Sequence, residues 1–374
     1  GTGDVFMQRI RLMGVCTWLA VASVLPAADV VVQVDAPAST GAVVLLLFDS
    51  ADAFGDLREP VVRRRELLDG RSEYRLDDVP PGEYALLVYY DENANDRLDR
   101  NFIGIPREPL AFSNGYRPKG PPSYSRAAFE LTPDEDRLFA LKLARPLGPR
   151  GRIGLGIGVI AQSSPYRGSK EAVMRFIPAI TYTGERLQIF GPRIQYGLAG
   201  SGNIRLAAIG TYRLGAYEAD DSPVLKGLDD RDDTFMLGLA LQIEAGRGID
   251  LSAQYQHDAL DRIGGSAARL AVDKSFRFGS WSLSPGIGLG WRNAKMADHD
   301  FGVPPASATD HRPAYGLGAA LSVELTMGAL VELSPDWLMA ARLGVEFFED
   351  EVADSPIVGD RHVLSGFATL TRLF

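Results

Sequence analysis

Hydrophobic and polar residues alternate over long segments in the C-terminal half of the chain. Three such segments begin near Thr234, Tyr315 and Trp337, and each has apolar residues at every second position with small or polar residues between them. Each segment runs for roughly ten residues, the length at which a tilted strand crosses a bilayer. Strands of a soluble sandwich are shorter, about five or six residues. The pattern therefore predicts an antiparallel transmembrane β-barrel over residues 152–374.

The interruptions of this alternation predict about twelve strands. They cover residues 153–161, 173–182, 186–190, 193–199, 204–214, 235–244, 250–256, 269–278, 281–291, 315–327, 337–347 and 363–374. Tight connections then alternate with long ones, as expected for short periplasmic turns and longer outer loops. The even number places both ends of the barrel on the periplasmic side. The third and fourth strands are short for a span, and one merged strand would give a count of eleven.

A smaller soluble β-domain is predicted over residues 29–145. Valines alternate with other residues at 30–34, and a continuous apolar run over 43–48 is typical of a strand covered on both faces. The last strand is predicted at 138–143. Two prolines and two glycines then fall within residues 146–151, which indicates a linker.

Composition and the N-terminal segment predict an exported protein that binds no nucleic acid. A net charge of −9 argues against a partner whose phosphates need a basic face. The apolar stretch 12–25 follows Arg9 and Arg11 and precedes Pro26-Ala27-Ala28, so residues 7–28 are interpreted as a secretory signal peptide. Cys16, the single cysteine, lies within this segment, and cysteine chemistry is not expected in the mature protein.

Three loop motifs carry a resemblance to a known family. They are Ser164-Pro165-Tyr166-Arg167-Gly168-Ser169, Asp221-Ser222-Pro223-Val224-Leu225-Lys226-Gly227-Leu228 and Ala353-Asp354-Ser355-Pro356-Ile357-Val358. With them, residues 152–374 resemble the MltA-interacting protein (MipA/OmpV) family. The resemblance implies an outer-membrane protein, in some members a scaffold that links a lytic transglycosylase to a peptidoglycan synthase. The family tends to have an aromatic residue where this chain has Arg372.

The C-terminal residue Phe374 lies at the end of the last predicted strand. A terminal aromatic residue is the usual feature by which the barrel-assembly machinery recognises its substrates. We therefore expect that machinery, outer-membrane lipid and lipopolysaccharide among the partners. The acidic segments 218–233 and 349–360 are candidates for divalent cations that bridge lipopolysaccharide, although such charge is more often a solvated loop.

The N-terminal domain resembles a second family through residues 91–99 and 103–108, Asp-Glu-Asn-Ala-Asn-Asp-Arg-Leu-Asp and Ile-Gly-Ile-Pro-Arg-Glu. That family comprises small exported bacterial domains of unknown function with a transthyretin-like sandwich. The resemblance implies a fold and no activity.

One motif in this domain has the residue types of a calcium loop. Asp91, Asn93, Asn95 and Asp99 supply oxygen atoms at the spacing of the first half of such a loop. An EF-hand is excluded because Asp96 stands where it needs glycine and Phe102 where it needs glutamate. An irregular calcium site remains one interpretation, and an Asx-rich turn that bonds its own backbone is the other.

The sequence predicts no enzyme. Glycines at 154, 156 and 158 alternate within a strand, so they are interpreted as small lumen-facing residues and not as a dinucleotide loop. Asp360, His362 and Ser365 have the residue types of a catalytic triad, but no nucleophile elbow accompanies them.

Two functions remain open: an anchor and scaffold for peptidoglycan machinery, and a narrow channel for small solutes. Basic, acidic and uncharged polar residues are predicted to face the lumen, and pairing between them would close the lumen. These residues are Arg205, Arg213, Gln242, Glu244, Gln254, Arg269, Asp273, Arg277, Arg292, Glu324, Arg342 and Glu346. A closed barrel is the interpretation we favour.

Overall fold

The computed structural model describes residues 27–35, 40–133, 135–169, 172–201 and 203–374. Residues 7–26 of the predicted signal peptide lie outside the described residues. The N-terminal part contains eight strands and two short helices within the described residues: β1 Ala28–Val34, β2 Ala42–Phe48, α1 Ala51–Asp56, β3 Val62–Leu67, β4 Glu73–Val79, β5 Gly82–Asp91, β6 Leu110–Phe112, α2 Tyr124–Ala127, β7 Phe129–Leu131 and β8 Arg137–Leu141. Among all the described residues, no helix is both long enough and apolar enough to cross a membrane.

These strands form two packed sheets. One has the order β4-β1-β8, with β1 and β8 parallel, and the other has the order β3-β2-β5-β6, with β7 beside β5. Val30, Val32, Leu45 and Val88 meet in the core between the sheets, each buried completely. The domain is therefore a β-sandwich, as predicted.

Strand β2 is covered on both faces, which confirms the interpretation of its continuous apolar run. Its odd-numbered residues face the first sheet, whereas Val44, Leu46 and Phe48 face a second core on the opposite side of their own sheet. Phe54 of α1 lies at the centre of that core, with its ring in edge-to-face contact with those of Phe48 and Tyr124 at 5.5 and 5.9 Å. The second core stabilises the side of the sandwich that meets the C-terminal part of the chain.

The C-terminal part is a closed antiparallel barrel. Its strands are β9 Arg152–Gln162, β10 Val173–Thr183, β11 Leu187–Phe190, β12 Arg193–Ser201, β13 Ile204–Arg213, β14 Thr234–Gly246, β15 Ile249–Asp258, β16 Ser266–Lys274, β17 Phe276–Phe278, β18 Trp281–Arg292, β19 Ala320–Ser334, β20 Trp337–Phe348 and β21 His362–Leu373. Strands β16 and β17 both pair with β18 and form one strand interrupted at Ser275. Pairing of β21 with β9 closes the ring, so the described residues of the barrel form twelve strands and confirm the predicted barrel.

The two ends of the barrel differ in their connections. Between the barrel strands, the described residues at the short-turn end are 184–186, 203, 247–248, 279–280 and 335–336. The described residues at the long-loop end are 163–169, 172, 214–233, 259–265, 293–319 and 349–361, with helices α3 Ala294–Phe301 and α4 Asp350–Ala353. The remaining connection, Gly191-Pro192, lies within the wall between β11 and β12. Apolar side chains cover the outside, with Ile157, Phe176 and Leu343 at least 65% exposed.

One predicted strand begins in the wrong place. Alternation predicts a strand over 315–327, but β19 begins at Ala320 and runs to Ser334. Leu317 is buried in a core formed by the long loops, and Tyr315 forms an isolated bridge with Val303. The apolar spacing before Ala320 therefore reflects burial among loops and not a face turned to lipid.

Candidate functional site

Ion pairs fill the lumen of the barrel. Arg269 pairs with Glu324 at 2.7 Å, and Arg292 with Glu346 at 2.8 Å. Further along, Arg205 pairs with Glu244 at 2.6 Å, and the Arg342 guanidinium lies 3.8 Å from Asp273. All twelve residues predicted to face the lumen lie on the inward faces of their strands, where most of them pair. The predicted pairing of lumen charges is therefore present.

The long loops fold over their end of the barrel and form an apolar core of their own. Leu225, Val352 and Ile357 are completely buried there. Asp300 of α3 lies beneath this core and pairs with Arg213 at 2.6 Å, with Arg292 3.8 Å away. The long-loop end is thus closed by apolar packing above and charge pairing below.

Carboxylates of the acidic outer loops bind backbone N–H groups. Asp221 accepts from Glu218 N at 2.8 Å, Asp230 from Ala219 N at 2.7 Å, and Asp233 from Gly215 N at 2.7 Å. These bonds fix the loop conformation. Cation and lipopolysaccharide binding by the loops stays a prediction.

The sandwich covers the short-turn end of the barrel. Glu332, near the end of β19, is 6% exposed and receives the Tyr116 hydroxyl and the Arg126 guanidinium, whose Nε lies 3.1 Å from Oε1. Burial raises the pKa of Tyr116 first, and its bond to the Glu332 carboxylate raises it further. Tyr116 is therefore a neutral donor to this carboxylate at physiological pH.

Further polar contacts follow the rim of the short-turn end. Each joins the sandwich, or the segment that follows α1, to a different turn or strand end of the barrel. They are Arg58–Glu244 at 2.7 Å, Arg107–Glu185 at 2.8 Å, Lys119–Asp336 at 2.8 Å, Asp56 with Arg277, and Ser123 Oγ to Gly279 O at 3.2 Å. The sandwich is thus held around the rim and not at one point.

One sandwich loop enters the barrel. Phe102 packs against Ala207, Ile209 and Ala240 on the inner wall. Its ring occupies the space into which a side chain at Gly197 would extend, so the glycine permits the close approach. This contact places a hydrophobic plug inside the short-turn end.

The four residues of the candidate calcium loop come together as an Asx-rich turn. Asp91 accepts from Asn95 N and Asp96 N at 3.1 and 2.9 Å, while the Asn93 and Asn95 side-chain amides donate to Asp99 at 2.8 and 3.0 Å. Among the described residues, no group of three or more His, Cys, Asp or Glu side chains is placed to hold a metal ion. Calcium binding by this loop stays a prediction.

A buried carboxyl lies beside this turn. Glu108 is 3% exposed, and its Oε2 accepts from Asp99 N at 3.2 Å, while Oε1 has no partner in the part of the chain that the structure describes. Burial, followed by the nearby charges of Asp91 and Asp99, raises the pKa of Glu108 from 4.5 to about 7. The carboxyl is therefore a proton-binding group in the neutral pH range.

The triad-like residues near the C-terminus do not assemble. His362 and Ser365 are three positions apart on β21, so their side chains leave opposite faces of the strand. The His362 ring lies 6.2 Å from that of Phe347, whose side chain is exposed on the outside of the barrel.

A closed barrel of this topology agrees with the similarity of the chain to known proteins. Residues 155–374 match the family described as MltA-interacting protein MipA. The chain belongs to this family. The MltA-interacting protein of Escherichia coli (strain K12) is 27% identical over 211 residues, which cover 56% of this chain and 84% of the relative. Outer membrane protein Omp26La of Vibrio anguillarum is 29% identical over 181 residues, covering 47% and 69%. The family member described here is accordingly an outer-membrane protein.

Two further similarities complete the comparison. Residues 32–138 match a family described as an uncharacterized protein conserved in bacteria (DUF2141). Among solved structures, an outer membrane channel from Pseudomonas putida F1 overlaps 62% of this chain and 97% of its own, with 11% identity and a TM-score of 0.33.

Sequence reasoning missed the interface between the two parts of the chain. Glu332 and Asp56 lie more than 200 residues from their partners Arg126 and Arg277, so local patterning says nothing of either pair. One available signal was the charge at position 332, which falls on the lumen face of β19 near the short-turn end, where an unpaired carboxylate is costly.

Proposed function

We propose that this protein is a non-enzymatic anchor that presents its N-terminal sandwich at the periplasmic face of the outer membrane, as a scaffold for peptidoglycan-processing enzymes. The observation that carries the proposal is closure of the barrel at both ends, by the long-loop core and by the sandwich. A lumen crossed by ion pairs leaves the barrel the role of a membrane anchor.

Two further points support this function. Short turns of outer-membrane barrels face the periplasm, so the sandwich, which covers the short-turn end, would lie where cell-wall enzymes act. A relative carries the name MltA-interacting protein, which favours a partner among peptidoglycan-processing enzymes for this chain as well. The exposed face of the sandwich then supplies the partner surface.

A gated channel for small solutes is the second candidate. It is favoured by a cavity of about 490 Å³ between the sandwich and the barrel wall, lined by Leu57, Ile103 and Leu338 among others. If the sandwich leaves, this cavity becomes an open mouth. The sandwich would then be a plug and not a platform.

Single-channel conductance in planar bilayers separates the two functions. The full chain and a variant lacking residues 29–151 are compared, and binding of a purified lytic transglycosylase to the immobilised full chain is measured beside them. The anchor predicts silence from both forms and specific binding by the full chain. Openings in the deletion variant alone would make the sandwich a plug, and steady openings in both forms would refute the anchor.

A further inference from the structure

The cavity between the sandwich and the barrel has an uneven charge. Among the described residues that line it, five are basic and three are acidic. The basic ones are Arg58, Arg100, Lys119, Arg152 and Arg277, and the acidic ones are Asp56, Glu244 and Asp250. Lys119 pairs with Asp336 outside this lining, which leaves four basic residues and three acidic ones. Because buried charges are normally paired, the remaining excess of one cation favours an anion in the cavity.

Within the described residues, two of these arginines bond only to carbonyl oxygens. Arg100 donates to Asp56 O at 2.7 Å and to Gly104 O at 3.2 Å, and Arg152 donates to the carbonyls of Lys119 and Pro146. Within the described chain, neither guanidinium has a carboxylate within 4.0 Å. Burial lowers the pKa of Arg100, and the nearby charge of Arg58 lowers it further. An anion beside Arg100 would offset the repulsion between the two guanidinium groups.

A polar side chain without a partner also lines the cavity. Thr371 of β21 is 3% exposed, and its hydroxyl has no hydrogen-bond partner among the described residues. A buried hydroxyl in this condition is destabilising unless a ligand or water meets it. Its position in the same cavity as Arg152 gives a ligand both a donor and a charge.

The rest of the lining is largely apolar. Phe190, Leu330, Leu338 and Leu373 contribute side chains from the barrel, and Leu57 and Ile103 from the sandwich. A volume of about 490 Å³ falls within the range of small-molecule sites, which combine apolar walls with a few placed polar groups. The site therefore fits a small molecule with an apolar body and one anionic group.

We propose that this cavity binds a small amphipathic organic anion, with its charged group at Arg100 or Arg152 and its apolar body against the leucine-lined wall. Guanidinium groups suit this role because they match carboxylate geometry with paired N–H donors. The proposal concerns a ligand site and holds whether the barrel is an anchor or a channel.

Binding of 4-fluorobenzoate to the full folded chain in detergent tests the site, with ¹⁹F line broadening as the readout. The neutral isostere 4-fluorobenzamide reports partition into the micelle and into any apolar surface. We expect the benzoate to bind about tenfold more tightly than the benzamide, the ratio that one charge-assisted contact supports. Equal binding of the two probes would overturn the proposal.

Variants locate the anion. One of the two variants Arg100→Met and Arg152→Met is expected to weaken benzoate binding about tenfold and to leave benzamide binding unchanged. The variant that does so identifies the arginine that binds the charged group. The exposed Arg97→Met in the same sandwich is the matched control and should bind as the wild type does. If it weakens binding as much, the effect is one of net charge and the site is refuted.

A final variant covers failure of the arginine variants to fold. Thr371→Val keeps the side-chain shape and removes only a hydroxyl that has no partner, so the chain should fold. We expect it to weaken benzoate binding several-fold, roughly the loss of one hydrogen bond. Wild-type benzoate affinity in this variant would contradict the proposed cavity position.

Discussion

The interface at Glu332 makes the sharpest prediction about how the sandwich is held. Replacing Glu332 by alanine leaves the Tyr116 hydroxyl without its charged acceptor and the Arg126 guanidinium without its carboxylate. Both partners belong to the sandwich, while Glu332 belongs to the barrel. The substitution therefore weakens docking and leaves the fold of each part in place.

The expected loss of docking free energy follows from how far Tyr116 and Arg126 are exposed to solvent. Tyr116 is 7% exposed, and a buried hydrogen bond to a charged group contributes about 1.5–3 kcal/mol. The Arg126 side chain is 34% exposed, so solvent screening limits its pair to about 0.5 kcal/mol. Docking should weaken by about 2–3.5 kcal/mol, which is roughly a thirty- to four-hundred-fold shift toward the undocked form.

Amide hydrogen exchange of residues 113–128 measures this shift directly, because local opening controls exchange there. We expect protection to fall about thirty-fold or more in Glu332→Ala and clearly less in Glu332→Gln, which keeps an acceptor for Tyr116. Glu185→Ala is the matched control, since the Arg107–Glu185 pair spans the same interface but both side chains are more than half exposed. Exchange in Glu332→Ala within twofold of the wild type would refute the reasoning.

Three further predictions concern the sandwich and its plug loop. Burial raises the folded-state pKa of Glu108 from 4.5 to about 7, so the folded chain binds this proton more tightly and stability falls as pH rises between those values. Glu108→Gln should remove this pH dependence and raise the unfolding free energy above pH 7 by up to about 3 kcal/mol, which thermal melts on both sides of the window would detect. A calcium site at Asp99 predicts a melting temperature that rises with calcium in the wild type and not in Asp99→Ala, whereas an Asx turn predicts a lower melting temperature in the variant regardless of calcium. Gly197→Val should expel the Phe102 side chain from the barrel, so the loop around Phe102 should show faster amide hydrogen exchange and proteolytic cleavage. Exchange and cleavage equal to those of the wild type would contradict the packing of Phe102 against Gly197.

Sequence reasoning reached the barrel because strand length and alternation are local properties. Apolar residues at every second position of β14 and β20 are required to face lipid, and that requirement is visible without tertiary knowledge. The lumen residues follow from the same phase, since a residue between two lipid-facing positions points inward. Arg269 and Glu324 were therefore predictable as lumen residues.

The apolar contacts at the two ends of the barrel could not be predicted in the same way. Leu317 continues the alternation that leads into β19, yet its side chain is buried by loops from distant parts of the chain. Phe102 lies in a polar-rich loop and packs on residues more than 100 positions later in the sequence. Both depend on tertiary contacts, and a one-dimensional pattern assigns such residues to the nearest regular element.

Pro178 lies just beyond the point in β10 where backbone pairing with β11 ends. On the side away from β9, the described part of β10 pairs only through Thr181–Thr183, with Gly191 N donating to Ile180 O at 3.2 Å. Backbone N–H and C=O groups two residues apart in a strand point to the same side, so the backbone nitrogen of Pro178 faces the same edge as the carbonyl of Ile180. At that position the edge has no paired strand within the described chain, and the nitrogen of Pro178 carries no hydrogen. A donor without an acceptor at membrane depth costs several kcal/mol, and proline has no such donor. Pro178 is therefore suited to the part of β10 beyond the end of β11, where this edge of β10 has no neighbouring strand among the described residues.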